Sequence, residues 1–291
     1  MSIRNNEDRF SAPQPDLDPP AQTLHDERPE GEPFSFVVPT EFVELPSHGL
    51  LYRPEHPLHG QEHIEIKFMT AKEEDILTSQ SLLQKGVALD RLISNLIVDK
   101  RIKPDNLLSG DKNAILIAAR KSGYGADYIT TITCPNCGEA EKRTYDLEEA
   151  HMHTGLTEDE MIEEGVKITE SGTFLINLPK NPVQVEFRIL SGREENALVR
   201  STEKRKKKKL PEHLITDQLK LMVVAIDGYT DTKLIDKFVE TMTMVDARHL
   251  RDTYQKVSPN VELKEVFVCD ACSYEDDIIF PFTTDFFWPQ R

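Results

Sequence analysis

The sequence predicts an α+β fold: a mostly helical body with short strands, joined to a ribbon whose two halves lie far apart in the chain. Three observations carry this. Apolar residues recur at helical spacing, as at Leu89, Leu92, Ile93, Leu96 and Ile97. Other runs alternate with period two, as in Ile64-Glu65-Ile66-Lys67-Phe68-Met69. The only four cysteines stand as two C-x-x-C pairs, Cys134-Pro135-Asn136-Cys137 and Cys269-Asp270-Ala271-Cys272, each at the end of a strand-like run.

Residues 1–35 hold Pro13, Pro15, Pro19, Pro20, Pro29 and Pro33 among acidic and polar residues. Such a segment cannot bury enough apolar surface to offset its ordering entropy, so a disordered arm is expected. Phe34-Ser35-Phe36-Val37-Val38 offers a short strand or an anchor for it. Residues 36–127 read as a strand and helix region. Its first part, to Met69, is extended, with Pro46 and Gly49 in turns. Thr70 then caps a helix, and Glu73 three residues on completes a capping box. The apolar face from Leu89 to Ile97 follows. Pro104 begins a further helix with Ile115, Leu116 and Ile117, ended by Gly123 and Gly125.

Residues 128–145 and 262–280 form the two halves of the ribbon. Ile129–Thr133 leads into the first cysteine pair and Lys142–Tyr145 returns from it. Val266–Val268 and Ile278–Phe280 do the same for the second. Between them, 146–261 is a mixed α/β insertion. It opens on a charged surface excursion around Met161. A strand pair then crosses Pro179–Pro182, and a helix capped by Ser191 and Glu194 runs into Lys204–Lys209. Ile215, Leu219, Met222, Val223 and Ile226 fall on one helical face. Asp231 and Asp246 read as N-caps of two more helices, the second ended by Ser258-Pro259. Residues 281–291 form an aromatic tail with Phe286, Phe287 and Trp288.

Two C-x-x-C turns can present four thiolates to one tetrahedral metal, usually zinc. Gly138 and Ser273 follow the pairs, where a tight turn needs a small residue or a positive φ. Reduced thiols, redox pairs and an iron–sulfur cluster are the alternatives. A redox C-x-x-C opens a helix in a βαβ unit, whereas strand-like residues flank both pairs here. A catalytic zinc keeps an open position, and four cysteines fill all four. The expectation is a structural zinc on Cys134, Cys137, Cys269 and Cys272. Such binding is worth about 10–16 kcal/mol in zinc-finger peptides, so its loss is expected to loosen the fold.

The 291 residues are 38% hydrophobic and 30% charged, which is globular composition. The net charge is −16 even with the six cations of Lys204–Lys209, and such a surface repels nucleic acid and acidic membranes. No apolar run is long enough to span a bilayer. The first residues lack a secretory apolar segment. Cysteines paired in this way fit a reducing compartment and metal binding.

Three segments resemble the baseplate hub and tail assembly proteins of T-even-like contractile-tailed phages. The first is Glu44–Gly49 with Leu51-Tyr52 and Glu65–Thr78. The second is Asn113–Arg120 running through Gly123-Tyr124-Gly125 into the first cysteine pair. The third is Asp246–Arg251, the second pair, and Phe286-Phe287-Trp288-Pro289. The resemblance spans roughly 40–290 and supplies no catalytic residue. It implies a non-enzymatic hub component or assembly factor that contacts other baseplate hub or tail proteins. It would act in the host cytoplasm during assembly, or in the virion baseplate.

Two readings of the tail stand open: Phe286, Phe287 and Trp288 cover the ribbon as a small core, or they dock a partner. The alternative function is a nucleic-acid-binding zinc ribbon that uses Lys204–Lys209 on phosphates. Against it stand the acidic remainder and the lack of aromatics beside the lysines. An enzyme is the third class. His48, His56, His59 and His63 with Glu62 and Glu65 offer a second metal site, and His151 and His153 another pair. No H-E-x-x-H, G-x-S-x-G or phosphate-binding glycine loop accompanies them, so solvent-facing histidines and no turnover are expected.

Overall fold

Thr70 begins the first helix as the sequence predicts. Its hydroxyl accepts from Lys72 N, and Glu73 reaches back to the Thr70 backbone N–H at 2.9 Å. The computed structural model describes residues 37–280, apart from 210 and 212, and residues 284–287. The expected arm at 1–35, the Phe34–Phe36 anchor and Trp288 lie outside them.

Strands β1 (Thr40–Glu44) and β2 (His63–Lys67) pair antiparallel, Thr40 opposite Lys67. Helices α1 (Ala71–Thr78), α2 (Gln80–Gln84), α3 (Ala88–Leu96) and α4 (Ser109–Tyr124) follow. Leu92, Ile93, Leu96 and Ile97 are buried, but Leu89 is half exposed. Pro104 opens only a 3-10 turn, Pro104–Asn106, and α4 starts at Ser109. Gly123 lies inside α4, where its missing Cβ admits the Met69 side chain. Gly125, at φ 84°, ends the helix.

Strands β3 (Asp127–Thr133) and β4 (Ala140–Asp146) make the first cysteine hairpin. The excursion that follows is more structured than expected. It holds β5 (His151–His153), α5 (Glu158–Glu164) and β6 (Lys167–Ile168), with Val166 buried. Strand β7 (Phe174–Asn177) pairs with both β6 and β8 (Gln184–Phe187). Helix α6 (Gly192–Lys207) carries the Ser191–Glu194 capping box.

Helix α7 (Leu214–Met222) stops sooner than its apolar spacing suggests. Val223 to Ile226 instead form β9 (Val223–Ile226), which pairs with β8 and completes a four-stranded sheet ordered β6-β7-β8-β9. Val223, Val224 and Ile226 are β-branched, and an open sheet edge supplies pairing that helical periodicity does not register. Ile215, expected on the buried face, is half exposed.

Asp231 caps α8 (Thr232–Thr241), accepting from Lys233 N and Leu234 N. Asp246 caps nothing. Helix α9 (Met244–Val257) begins one turn earlier, at Thr243, whose hydroxyl accepts from Asp246 N. Asp246 is buried and accepts from the Thr243 hydroxyl, Lys180 N and Asn181 Nδ2, so it ties α9 to the β7–β8 turn. Strand β10 (Asn260–Glu262) pairs with β5, and β11 (Lys264–Val268) pairs with β12 (Glu275–Ile279) as the second cysteine hairpin.

All these elements lie in one compact unit that begins at Val38. Its interior has two apolar clusters. One joins β1–β2, α3, α4 and both cysteine hairpins; the other joins the four-stranded sheet to α7, α8 and α9. Leu51 and Ile189 pack against both clusters. Phe286 and Phe287, in the 3-10 turn Thr284–Phe287, are buried in the first. Phe286 meets Tyr128 edge-on at 5.0 Å and Phe287 at 5.2 Å. Of the two readings of the tail, this packing has the character of a core, and these two rings offer no free face to a partner.

Candidate metal centre

Each cysteine pair closes a hairpin with the same backbone turn. Cys134 N–H donates to Glu139 O at 2.8 Å and Gly138 N–H donates back to Cys134 O at 2.9 Å. In the second hairpin, Cys269 N–H donates to Tyr274 O and Ser273 N–H to Cys269 O, both at 2.9 Å. The fifth residue of each turn is left-handed: Gly138 at φ 79° and Ser273 at φ 55°. That conformation costs glycine nothing and serine something. Its recurrence marks two copies of one device.

The hairpins bring their sulfurs together. Cys134 Sγ is 3.7 Å from Cys272 Sγ, and Cys137 Sγ is 3.7 Å from Cys269 Sγ. All four sulfurs lie within 4.8 Å of one another. A disulfide needs about 2.05 Å, so no pair is bonded. A tetrahedral ion with metal–sulfur bonds of about 2.3 Å sets its sulfurs about 3.8 Å apart. The two short separations fit that edge. The donor set therefore suits a closed four-thiolate site with no position left for substrate.

Local donors grade the thiols. The Asn136 amide donates to Cys272 Sγ at 3.5 Å, and with the Tyr274 backbone N–H it lowers that thiol to about 7. Burial pushes the Cys269 thiol up to about 12. A bound cation would deprotonate both outright. Cys134 and Cys269 are buried while Cys137 is exposed, so the centre sits at the rim of the first apolar cluster.

Residues around the sulfurs escaped sequence reasoning. Glu141 and Arg143 alternate with buried Tyr145 along β4 and reach the second hairpin. Glu141 accepts from Asp270 N at 2.9 Å, and Arg143 donates to Val268 O at 2.7 Å. Strand alternation places Glu141, Arg143 and Tyr145 on one face, but nothing local names the backbone they meet.

The histidines do not assemble. Among the described residues, the four cysteines are the one group of three or more His, Cys, Asp or Glu placed to share an ion. His48 faces Glu44 at 3.4 Å; His56 stacks on Tyr52 at 4.4 Å. His59 donates to Tyr52 O at 2.7 Å, and His153 to Lys256 O at 3.0 Å.

Two buried polar groups brace the body nearby. Asp111 on α4 accepts from Ser47 N, Ser47 Oγ and Tyr52 OH, which fixes the turn before β2. Arg120 donates to Phe286 O at 2.8 Å, Asp127 O at 2.8 Å and Gly125 O, tying the tail to the start of the first hairpin. Lys204–Lys209 end α6 in solvent, with Arg205 paired to Asp217 at 3.5 Å.

The family of T4 bacteriophage base plate proteins matches residues 51–288. That range covers both cysteine hairpins and most of the described body. The chain belongs to this family. Its role is a structural one connected with the phage baseplate, among other tail and baseplate proteins. Neither a curated protein nor a solved structure matches the chain. No helix among the described residues is long and apolar enough to cross a membrane.

Proposed function

We propose that this baseplate protein is a non-enzymatic hub component or assembly factor that works through protein–protein contacts, with a structural zinc in its cysteine centre. The convergence of four thiols from two distant hairpins, inside the range matched by the family, carries the reading. Zinc suits four thiolates because it has no geometric demand beyond the tetrahedron and no redox chemistry. When bound, it neutralises thiolate charge and crosslinks the hairpins. Cys134, Cys137, Cys269 and Cys272 would hold it, leaving no open position for catalysis. The protein would meet other hub or tail proteins in the host cytoplasm during assembly. Acidic and apolar surfaces would make those contacts.

Three measurements test this. Elemental analysis of purified protein is expected to give one zinc per chain, lost on Cys134→Ser or Cys269→Ser. Mass spectrometry of mature particles beside infected-cell lysate separates a virion component from an assembly factor. A phage deleted for the gene is expected to make no functional tails; normal infectious tails would refute a part in the baseplate.

A further inference from the structure

We propose that Glu141 and Arg143 form a metal-independent latch that holds the second cysteine turn against the first, keeping the four thiols gathered before any ion arrives. The proposal rests on the cysteine cluster being a metal centre, and it names the residues that position it. Arg143 is the pivot. Its Nη2 donates to Glu141 Oε2 at 2.6 Å within β4 and crosses to Val268 O at 2.7 Å in β11. The same guanidinium pairs with Asp270 at 3.2 Å and lies over the Phe267 ring at 5.4 Å. Glu141 completes the contact by accepting Asp270 N–H at 2.9 Å and the Cys269 thiol at 3.2 Å.

Two residues of one strand therefore grip Phe267, Val268, Cys269 and Asp270 of a hairpin more than a hundred residues away. The grip engages the strand leading into Cys269 and the first residue after it, so it sets where that sulfur points. A planar guanidinium can serve two carboxylates, a carbonyl and a ring together, and an ammonium cannot. Small zinc modules whose sites form only with metal are unfolded without it. A latch made of protein groups removes that dependence, and the ion enters a site already assembled. Tyr145 against Phe280 at 4.9 Å adds apolar packing beneath the same contact.

The test uses the full chain with Arg143→Met, Arg143→Lys and Glu141→Gln. In metal-free protein, amide hydrogen exchange across 264–279 is expected to quicken at least tenfold in Arg143→Met. Exchange across 174–187 in the other cluster should stay at the wild-type rate. With cobalt(II) as the probe, wild type is expected to show thiolate-to-cobalt charge-transfer absorption at one ion per chain. Cobalt loss to EDTA is expected to be at least tenfold faster in Arg143→Met. Arg143→Lys should recover only part of the difference, and Glu141→Gln should fall between if Arg143→Met folds poorly. Wild-type exchange and cobalt loss in Arg143→Met and Glu141→Gln would overturn the latch. A wild type that takes up no cobalt would instead overturn the metal centre, and the exchange measurement would still decide the latch.

Discussion

Phe286→Ala separates a core tail from a docking tail. Phe286 is 2% exposed and its ring meets Tyr128 and Phe287 edge-on. Truncating a buried phenylalanine costs about 3–5 kcal/mol, the transfer loss plus the cavity left behind. The two aromatic pairs are worth about 0.5–1.5 kcal/mol each and fall within that range. The backbone carbonyl of residue 286 survives the change, so the Arg120 contact is not removed chemically. Phe42→Ala is the control, because that ring is 71% exposed. A surface change of this kind stays within about 0.5 kcal/mol of neutral. Urea unfolding followed by circular dichroism measures both. A domain with about 5–15 kcal/mol to lose should show Phe286→Ala as a large fall in midpoint at unchanged m-value. A loss below about 1 kcal/mol would mean that the turn is not part of the core, and the packing argument for the tail would fail.

Three further outcomes follow from particular contacts. Gly110→Ala should destabilise despite alanine's better helix propensity of about 1 kcal/mol, because its Cβ would lie 2.8 Å from Asn260 Cα and closer still to Pro259 O, both backbone; a neutral or raised melting temperature would contradict the close approach of α4 to β10. Asp111 has its carboxyl pushed up by burial, with the hydrogen bonds from Tyr52 and Ser47 only partly opposing. A raised folded-state value gives stability that is full below the unfolded carboxyl range and lost as pH rises through the folded value. Wild-type stability relative to Asp111→Asn should therefore fall from about pH 4 toward neutrality, and a flat difference across that range would argue against it. Chelating the metal, or Cys134→Ser, should lower the melting temperature and loosen 134–139 and 269–274 while the four-stranded sheet keeps its amide protection; global unfolding on chelation would show that the ion, not the packing, holds the hairpins.

What the sequence disclosed was mostly local. The capping boxes at Thr70–Glu73 and Ser191–Glu194 need only residues three apart, and both form. A third, at Thr157–Glu160, carries the same signal inside an acidic run that reads as solvated surface. The cysteine turns were legible for the same reason, since spacing, flanking strands and the small fifth residue sit within a few positions. Legibility ended where a distant partner decides. Val223–Ile226 has helical spacing, yet β8 offers it an edge. Asp246 has the chemistry of a cap, yet the amides at Lys180 and Asn181 claim its carboxylate, and Thr243 starts the helix one turn earlier. Arg143 looks like an exposed charge on a polar strand until Val268 and Asp270 arrive from the other end of the chain.

That distance bears on what a metal bound there would do. Joining Cys137 to Cys269 closes a loop of 132 positions, and the entropy of closure grows only as (3/2)RT ln n, about 4 kcal/mol before its constant. Tyr145, Leu263, Phe267 and Phe280 are all buried where the hairpins meet the first cluster. Each such side chain returns about 1.5–3 kcal/mol on burial. Apolar packing thus offsets much of the closure cost before any sulfur is bonded, which an isolated zinc finger lacks the core to do. The expectation that metal loss loosens the whole fold therefore narrows to the cysteine turns themselves. There, with two left-handed residues and a partly exposed sulfur set, the Glu141 and Arg143 contacts are the protein groups that share the task with a bound ion. On this reading the core fixes where the ribbon lies, and a metal would fix the shape of its tip.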